Sequence, residues 1–146
     1  MIRIASPADI PALLAIEHSS FKGDRLSNRS FRYLLNKGHA LILLDEGIGL
    51  LRGYIVLLFR ANASLARVYS IATHPNCLGQ GVAAGLLIAA EQSALRHGRM
   101  RMRLEIRMDN QASLRLFQNR GYVIFGEYRN YYDDGMDAFR LQKSLT

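Results

Sequence analysis

At 146 residues and 16.4 kDa the chain has the length of one domain, residues 1–146, large enough to bury a core without a disulfide or metal staple. Its composition, 49% hydrophobic and 21% charged, is that of an ordinary soluble fold and not of a disordered tail. Nineteen Lys and Arg against twelve Asp and Glu give a net charge of +7, which suits a polyanionic partner: nucleic acid, an anionic membrane surface or a multiply phosphorylated cofactor. Only Lys22, Lys37 and Lys143 are lysines, so arginine, the better residue for forked contacts to phosphate, dominates the charge. The single cysteine, Cys77, excludes an internal disulfide framework and a four-cysteine zinc site, and no metal site is expected. The longest apolar or glycine run, residues 81–90, falls far short of the ~20 residues of a membrane span. No secretory signal opens the chain, and a reduced, cytoplasmic setting is the expectation.

Residues 2–4 alternate as a short edge strand. Ser6, Pro7 and Asp9 carry the cap, first-turn proline and capping-box acid of a helix start, and Ile10, Leu13, Leu14 and Glu17 continue with a helical stripe. Residues 21–28 are polar and loop-like. Ser27 or Asn28 can cap a second short helix bearing Phe31, Leu34 and Leu35, which the pattern ends at Gly38. Residues 40–44 and 54–59 are apolar runs around a turn-rich 45–49 segment, a hairpin whose second strand is buried on both faces. A third run covers 66–73. Residues 81–97 form the longest helical pattern, stopped at Gly98. In 100–106, Met100, Met102, Leu104 and Ile106 face one way and Arg101, Arg103 and Glu105 the other. Asp109 or Asn110 caps a further helix closed by Gly121, and strands 122–132 and 138–145 meet across Asp133-Asp134-Gly135. The order β-α-α-β-β-β-α-β-α-β-β predicts an α/β (α+β) fold: a mixed sheet with helices on both faces, hairpins at start and end, and a βαβ crossover between.

The informative segment is Val68-Tyr69-Ser70-Ile71-Ala72-Thr73, a short loop, then Gly79-Gln80-Gly81-Val82-Ala83-Ala84. A buried strand runs through a glycine turn into a long helix. Glycines let the backbone approach a bound group, and the first helical N–H groups point at it, an arrangement suited to a pyrophosphate. Gly79-x-Gly81-x-x-Ala84 also fits a dinucleotide fingerprint, with Glu105 as the ribose acid. Against it, the turn does not follow its strand tightly, only one βαβ unit is in view, and 146 residues hardly supply a second, substrate domain. A P-loop is excluded, because no Gly-Lys-Ser/Thr follows.

The chain resembles the GNAT superfamily of acetyl-CoA-dependent N-acetyltransferases, and within it the ribosomal-protein-alanine and protein N-terminal acetyltransferase branch. The family's Gln/Arg-x-x-Gly-x-Gly/Ala motif stands here as Leu78-Gly79-Gln80-Gly81-Val82-Ala83, departing at its first position. Leu104-Glu105-Ile106-Arg107, Asp109-Asn110, Ala112-Ser113, Leu116-Phe117 and Gly121-Tyr122 resemble the strand-five and helix-four signature, and Tyr131-Tyr132-Asp133-Asp134-Gly135 the closing hairpin. The resemblance implies a mostly antiparallel central sheet of about seven strands. It implies that Ile71, Ala72 and Thr73 meet the pantetheine arm of acetyl-CoA. Gly79, Gln80, Gly81, Val82, Ala83 and Ala84 would hold its pyrophosphate, with Asn110 and Phe117 also against the cofactor.

The same resemblance makes Glu105 the general base. The competing expectation is a structural ion pair with Arg103 or Arg107 on the same strand face. A terminal α-amine, with a pKa of ~7.7–8.0, asks less of a base than a lysine does. A protein N-terminal α-amine is therefore the expected acceptor and a small-molecule amine the alternative, with direct transfer in a ternary complex. Phe117 stands where the family usually has a proton-donating Tyr; Tyr122, Tyr131 and Tyr132 are candidate substitutes. Tyr131 and Tyr132 are expected to line the acceptor groove, with Asp133 and Asp134 attracting the amine. His74 reads as a solvated loop residue and Cys77 as an inert thiol. The contrasting class is a basic nucleic-acid-binding domain, which needs Arg clustered with aromatics on one surface; in the sequence only Arg96, Arg99, Arg101 and Arg103 lie close together. No membrane partner is expected, and a monomer and a homodimer both fit.

Overall fold

The structure, a computed structural model, describes residues 1–21, 25–36, 39–61 and 63–146. Its elements follow the expected order: β1 (Ile2–Ile4), α1 (Ile10–Ser20), α2 (Asn28–Asn36), β2 (Ala40–Gly47), β3 (Leu50–Phe59), β4 (Leu65–Thr73), α3 (Val82–Arg96), β5 (Arg101–Arg107), α4 (Gln111–Asn119), β6 (Val123–Tyr128) and β7 (Ala138–Ser144). Seven strands form one mixed, mostly antiparallel sheet in the order β1-β2-β3-β4-β5-β7-β6. β1 is an edge strand as its pattern predicts, and β4–β5 is the parallel pair.

Local chemistry accounts for most boundaries. The Ser6 N–H donates to Asp9 Oδ2 at 2.8 Å, but Pro7–Asp9 forms a single 3-10 turn and α1 begins at Ile10, with Pro11 in its first turn, where proline is tolerated. Ser27, not Asn28, caps α2: its hydroxyl accepts the Ser30 N–H at 3.1 Å. The expected stop at Gly38 lies outside the described residues. The 45–49 segment is mostly strand, with the turn confined to Ile48 and Gly49. β6 ends at Tyr128, earlier than the expected 132, and the chain turns through Asn130 at φ 50° and Gly135 at φ 84° before β7.

The sheet buries two cores. β3 supplies both, as its continuous apolar pattern requires: Tyr54 and Val56 face α1 and α2, while Ile55 and Leu57 face α3 and α4. Met102, Leu104 and Ile106 of β5 join the α3–α4 core together with Phe117 and Tyr122. The core under α1 and α2 takes nothing from β5, β6 or β7. The half-sheet β5-β7-β6 is therefore covered by helices on one face only.

Two features set the position of the central gap. β4 pairs with β5 only from Leu65–Arg101 to Arg67–Arg103, although β4 continues to Thr73 against β3 and β5 continues to Arg107 against β7. Beyond Arg67 and Arg103 the two strands part. Opposite the β3 pair Val56 and Leu57 stand Ser70 and Val68, so Tyr69 is an extra residue, and this bulge bends β4 at the point of parting. Gly53 then lets α3 settle at the gap's mouth: a Cβ there would lie 2.8 Å from the Ala72 carbonyl oxygen and 2.8 Å from Val82 Cγ1.

Candidate active site

A sheet that opens between two central strands leaves unpaired backbone groups along residues 68–73 and 104–107, since every second peptide of each strand points into the gap. Ile71, Ala72 and Thr73 lie on that edge of β4. At its mouth Gly79 (φ 76°) and Gly81 (φ 78°) adopt the left-handed conformation that favours glycine, and Gly81 is the N-cap of α3. A Cβ at either would meet nothing within 4 Å, so both backbones face open space. Gln80 is exposed, Val82 buried, and Ala83 and Ala84 half-buried in the first turn of α3, whose N–H groups lack intrahelical partners. The Asn110 side chain caps α4 by accepting the Ser113 N–H at 3.1 Å. Phe117 is 1% exposed, edge-on to Tyr122 at 5.2 Å. Tyr122 in turn donates to Glu91 at 2.8 Å, which fixes its hydroxyl within the α3 side of the molecule.

Glu105 lies on the opposite face of β5 from Met102, Leu104 and Ile106, the face without helices. It borders a cavity of about 560 Å³ lined by residues of β3, β4, β5, β6 and β7, by Tyr131 between the last two, and by His39 and Arg60 beside the strands. Its ion-pair partner is Arg67 of β4, and neither Arg103 nor Arg107. Arg67 Nε and Nη2 both donate to Glu105 Oε1, the former at 3.0 Å. The Tyr131 hydroxyl donates to the same oxygen at 3.2 Å and accepts from Arg67 Nη2 at 2.9 Å. Burial first, and the Glu105 carboxylate next, push the Tyr131 phenol above its usual pKa. Arg103 instead donates to Gln142 at 3.2 Å, and Arg107 binds Asp134 at 2.7 Å and Asp109 at 3.1 Å. The sequence points to the neighbours on the same strand; the closer guanidinium comes from the adjacent strand, just before the two part.

Tyr131 borders the cavity, and Tyr132 packs edge-on against Tyr131 at 5.0 Å with the Arg107 guanidinium over its ring. Of the two hairpin acids, Asp134 is held by Arg107. His74 is a turn cap, its Nδ1 accepting the Asn76 N–H at 3.0 Å, and Cys77 is buried in the α3–α4 core. The arginine cluster that the sequence lacks in any one stretch exists in space. Arg67, Arg103, Arg107 and Arg140 share this face with Phe125, Tyr128, Tyr131 and Tyr132. Sequence reasoning missed Arg67, Arg140, Phe125 and Tyr128. The available signal was alternation: Arg67 is a charge inside an apolar strand, and Arg140 alternates with Phe139 and Leu141.

The whole fold recurs in solved structures. It matches the ribosomal-protein-S18-alanine N-acetyltransferase of Escherichia coli with a TM-score of 0.89, at 23% identity over 100% of this chain and 94% of that one. It matches yncA of Salmonella typhimurium, described as an acetyltransferase and solved with acetyl-CoA, with a TM-score of 0.84 at 25% identity over 100% and 94%. A mixed sheet split between two parallel strands, with a glycine-capped helix at the split, is the architecture this chain shares with those acetyltransferases. The Acetyltransferase (GNAT) family model matches residues 10–122. A Bacillus subtilis (strain 168) protein assigned as a ribosomal protein bS18-alanine N-acetyltransferase is 30% identical over 94% of this chain and 91% of its own length. The chain belongs to the GNAT acetyltransferase family and is an acetyl-CoA-dependent N-acetyltransferase. Among the described residues no helix is long and apolar enough to cross a membrane.

Proposed function

We propose that this enzyme acetylates the α-amine of a polypeptide N-terminus, with Glu105 as the base. The observation that carries the reading is the place of Glu105. It stands where the strand gap meets the 560 Å³ cavity, so a donor entering from the gap and an amine entering from the cavity converge on it. The Bacillus subtilis relative, assigned to the N-terminal alanine of a ribosomal protein, supports the same acceptor class and with it a cytoplasmic setting.

The residues at the gap fit acetyl-CoA. The open edge at Ile71, Ala72 and Thr73 offers peptide groups to an extended amide-bearing arm. The left-handed Gly79 and Gly81 leave room over the α3 N-terminus for a pyrophosphate, with Gln80, Val82, Ala83 and Ala84 completing the turn. Asn110, the N-cap of α4, and Phe117, buried on the same helix, are the residues proposed for the β5–α4 side of the cofactor. Bound there, acetyl-CoA supplies an activated thioester carbonyl. The chain's own part is to place the amine and to take its proton. Arg67 and Tyr131 bind Glu105 at Oε1, so Oε2 is the oxygen left to accept a proton from the amine. Phe117 cannot donate a proton. Tyr131, whose hydroxyl borders the cavity and donates to Glu105 Oε1, is the proposed donor, with Glu105 returning the proton taken from the amine.

The test is a peptide with a free α-amine beside the same peptide N-blocked and carrying one lysine. Transfer to the free α-amine alone is expected. Glu105→Gln should lower kcat/KM about 10²-fold at pH 7, and the deficit should narrow as pH rises through ~7.7–8.0, where the amine loses its proton unaided. Preferential lysine acetylation, or a loss independent of pH and accompanied by a lower Tm, would overturn the assignment.

A further inference from the structure

The cavity beside Glu105 is a cationic site. Arg60, Arg67, Arg103 and Arg140 line it with His39, and Glu105 is the one carboxylate among its described lining residues. Arg67 is committed to Glu105, but no ion pair involves Arg60, Arg103 or Arg140 among the described residues. Arg140 is the directly opposed cross-strand partner of Glu105. Its guanidinium lies over Phe125 at 4.6 Å and over Tyr128 at 4.4 Å, and its Nε is buried with no hydrogen-bond partner. The Arg103 guanidinium also lies over the Phe125 ring, at 4.9 Å, and Arg103 is two residues from Glu105 on the same strand face.

Aromatic faces hold both planar forks in place; Arg140 Nε is left without a partner, while Arg103 spends its Nε on Gln142 and keeps its charge unpaired among the described residues. A buried unsatisfied donor is costly, and a carboxylate is the acceptor that matches the fork two bonds at a time. Distance fits as well. Residues i and i+2 of a strand are about 6.6 Å apart, so an extended chain whose amine lies at Glu105 passes Arg103 and Arg140 within its next few residues. Resting on the N-terminal reading above, we infer that the acceptor carries Asp or Glu at its second to fourth residues, and that Arg103 and Arg140 bind those carboxylates. A basic segment there would meet like charge. The cavity takes a few residues of a single chain, which favours a peptide over a nucleic-acid duplex.

The test uses eight-residue peptides with one common N-terminal alanine and acidic, serine or lysine residues at positions two to four. Acidic peptides should exceed serine peptides by about 10-fold or more in kcat/KM, mainly through KM, and lysine peptides should fall below both. Raising NaCl from about 50 to about 500 mM should shrink the acidic preference, because ion pairs at an open cavity are screened. Arg140→Met and, independently, Arg103→Gln should each cut the acidic-to-serine ratio about 5-fold; Arg103 is the safeguard should Arg140→Met not fold. Equal rates for acidic and serine peptides would overturn this inference while leaving N-terminal acetylation in place. Transfer to small amines but to none of the peptides would overturn the N-terminal reading and this inference with it. Competitive inhibition by oligoribonucleotide, relieved by Arg140→Met and without an acidic preference, would assign the arginines to nucleic acid.

Discussion

The two halves of the sheet bury their carboxylates in opposite ways. In the β2-β3-β4 half, helices cover both faces, and Glu17 of α1 is 1% exposed. Tyr54 and Ser70 donate to its Oε1 and the Leu26 N–H to its Oε2 at 2.8 Å, so neutral donors tie the segment before α2 to β3 and β4. In the β5-β7-β6 half, one face has no helix, and Glu105 meets a guanidinium, a phenol and open space. A fully enclosed carboxylate with every bond used is an anchor. One with an oxygen that has no hydrogen-bond partner among the described residues, at the edge of a cavity, is open to a ligand. The base proposed for this enzyme stands where helical cover stops.

That contrast is broken most directly by truncation on each side. Leu57→Ala, at a fully buried site in the covered half, should cost about 2–5 kcal/mol. Phe125→Ala, half-exposed on the open face, should cost about 1 kcal/mol or less. Urea midpoints at unchanged m compare them, and equal losses would show the open half to be as much a core as the other.

The gap can be probed next. Acetyl-CoA at about 100 times its Kd should add about 2.7 kcal/mol of stability. Gly81→Val should abolish most of that increment, because it places a branched side chain at φ 78° over the α3 N-terminus. Gly81→Asn, which tolerates that conformation better, should fold better than the Val variant. A full shift in a folded Gly81→Val protein would remove the turn from the cofactor site.

Phe117→Tyr sharpens the comparison on the helix-covered side of β5. Phe117 is packed among apolar neighbours and Tyr122, whose own hydroxyl already has a partner, so an added hydroxyl left unpaired should cost about 1–3 kcal/mol. A faster acetyl transfer in the folded variant would mean that a phenol there still has a proton to deliver. Unchanged kinetics would leave that task to Tyr131 or solvent.

The smallest effect concerns the covered half's outer seam. The Arg3 guanidinium, bonded at 2.7 Å, holds the Asp9 carboxyl down to about 2. A carboxyl depressed in the folded state adds stability above its unfolded value of ~3.9 and loses it as pH falls through about 2. Stability curves of wild type and Asp9→Asn should therefore run parallel above pH ~4 and converge toward pH 2. A constant gap across that range would remove Arg3 as the cause.

Sequence by itself determined the order of all eleven helices and strands. Hydrophobic period, caps and turn residues are local, and each element here obeys its own. It also determined the glycine turn before α3 and the placement of Glu105 away from the β5 core face, because strand alternation is a property of consecutive residues. Tertiary structure decided what those residues meet. Glu17 falls in the apolar stripe of α1, and only the packing of α1 on β3 shows that the stripe position holds a carboxylate against Tyr54. Gly53 looks like any strand glycine until Ala72 and Val82 close on it. The partner of Glu105 is Arg67, 38 positions away, and the arginine face gathers residues 67, 103, 107 and 140 from three strands. Contacts of that separation depend on strand order and on where β4 leaves β5, which is set by the balance of packing across the whole sheet and is written in no single segment.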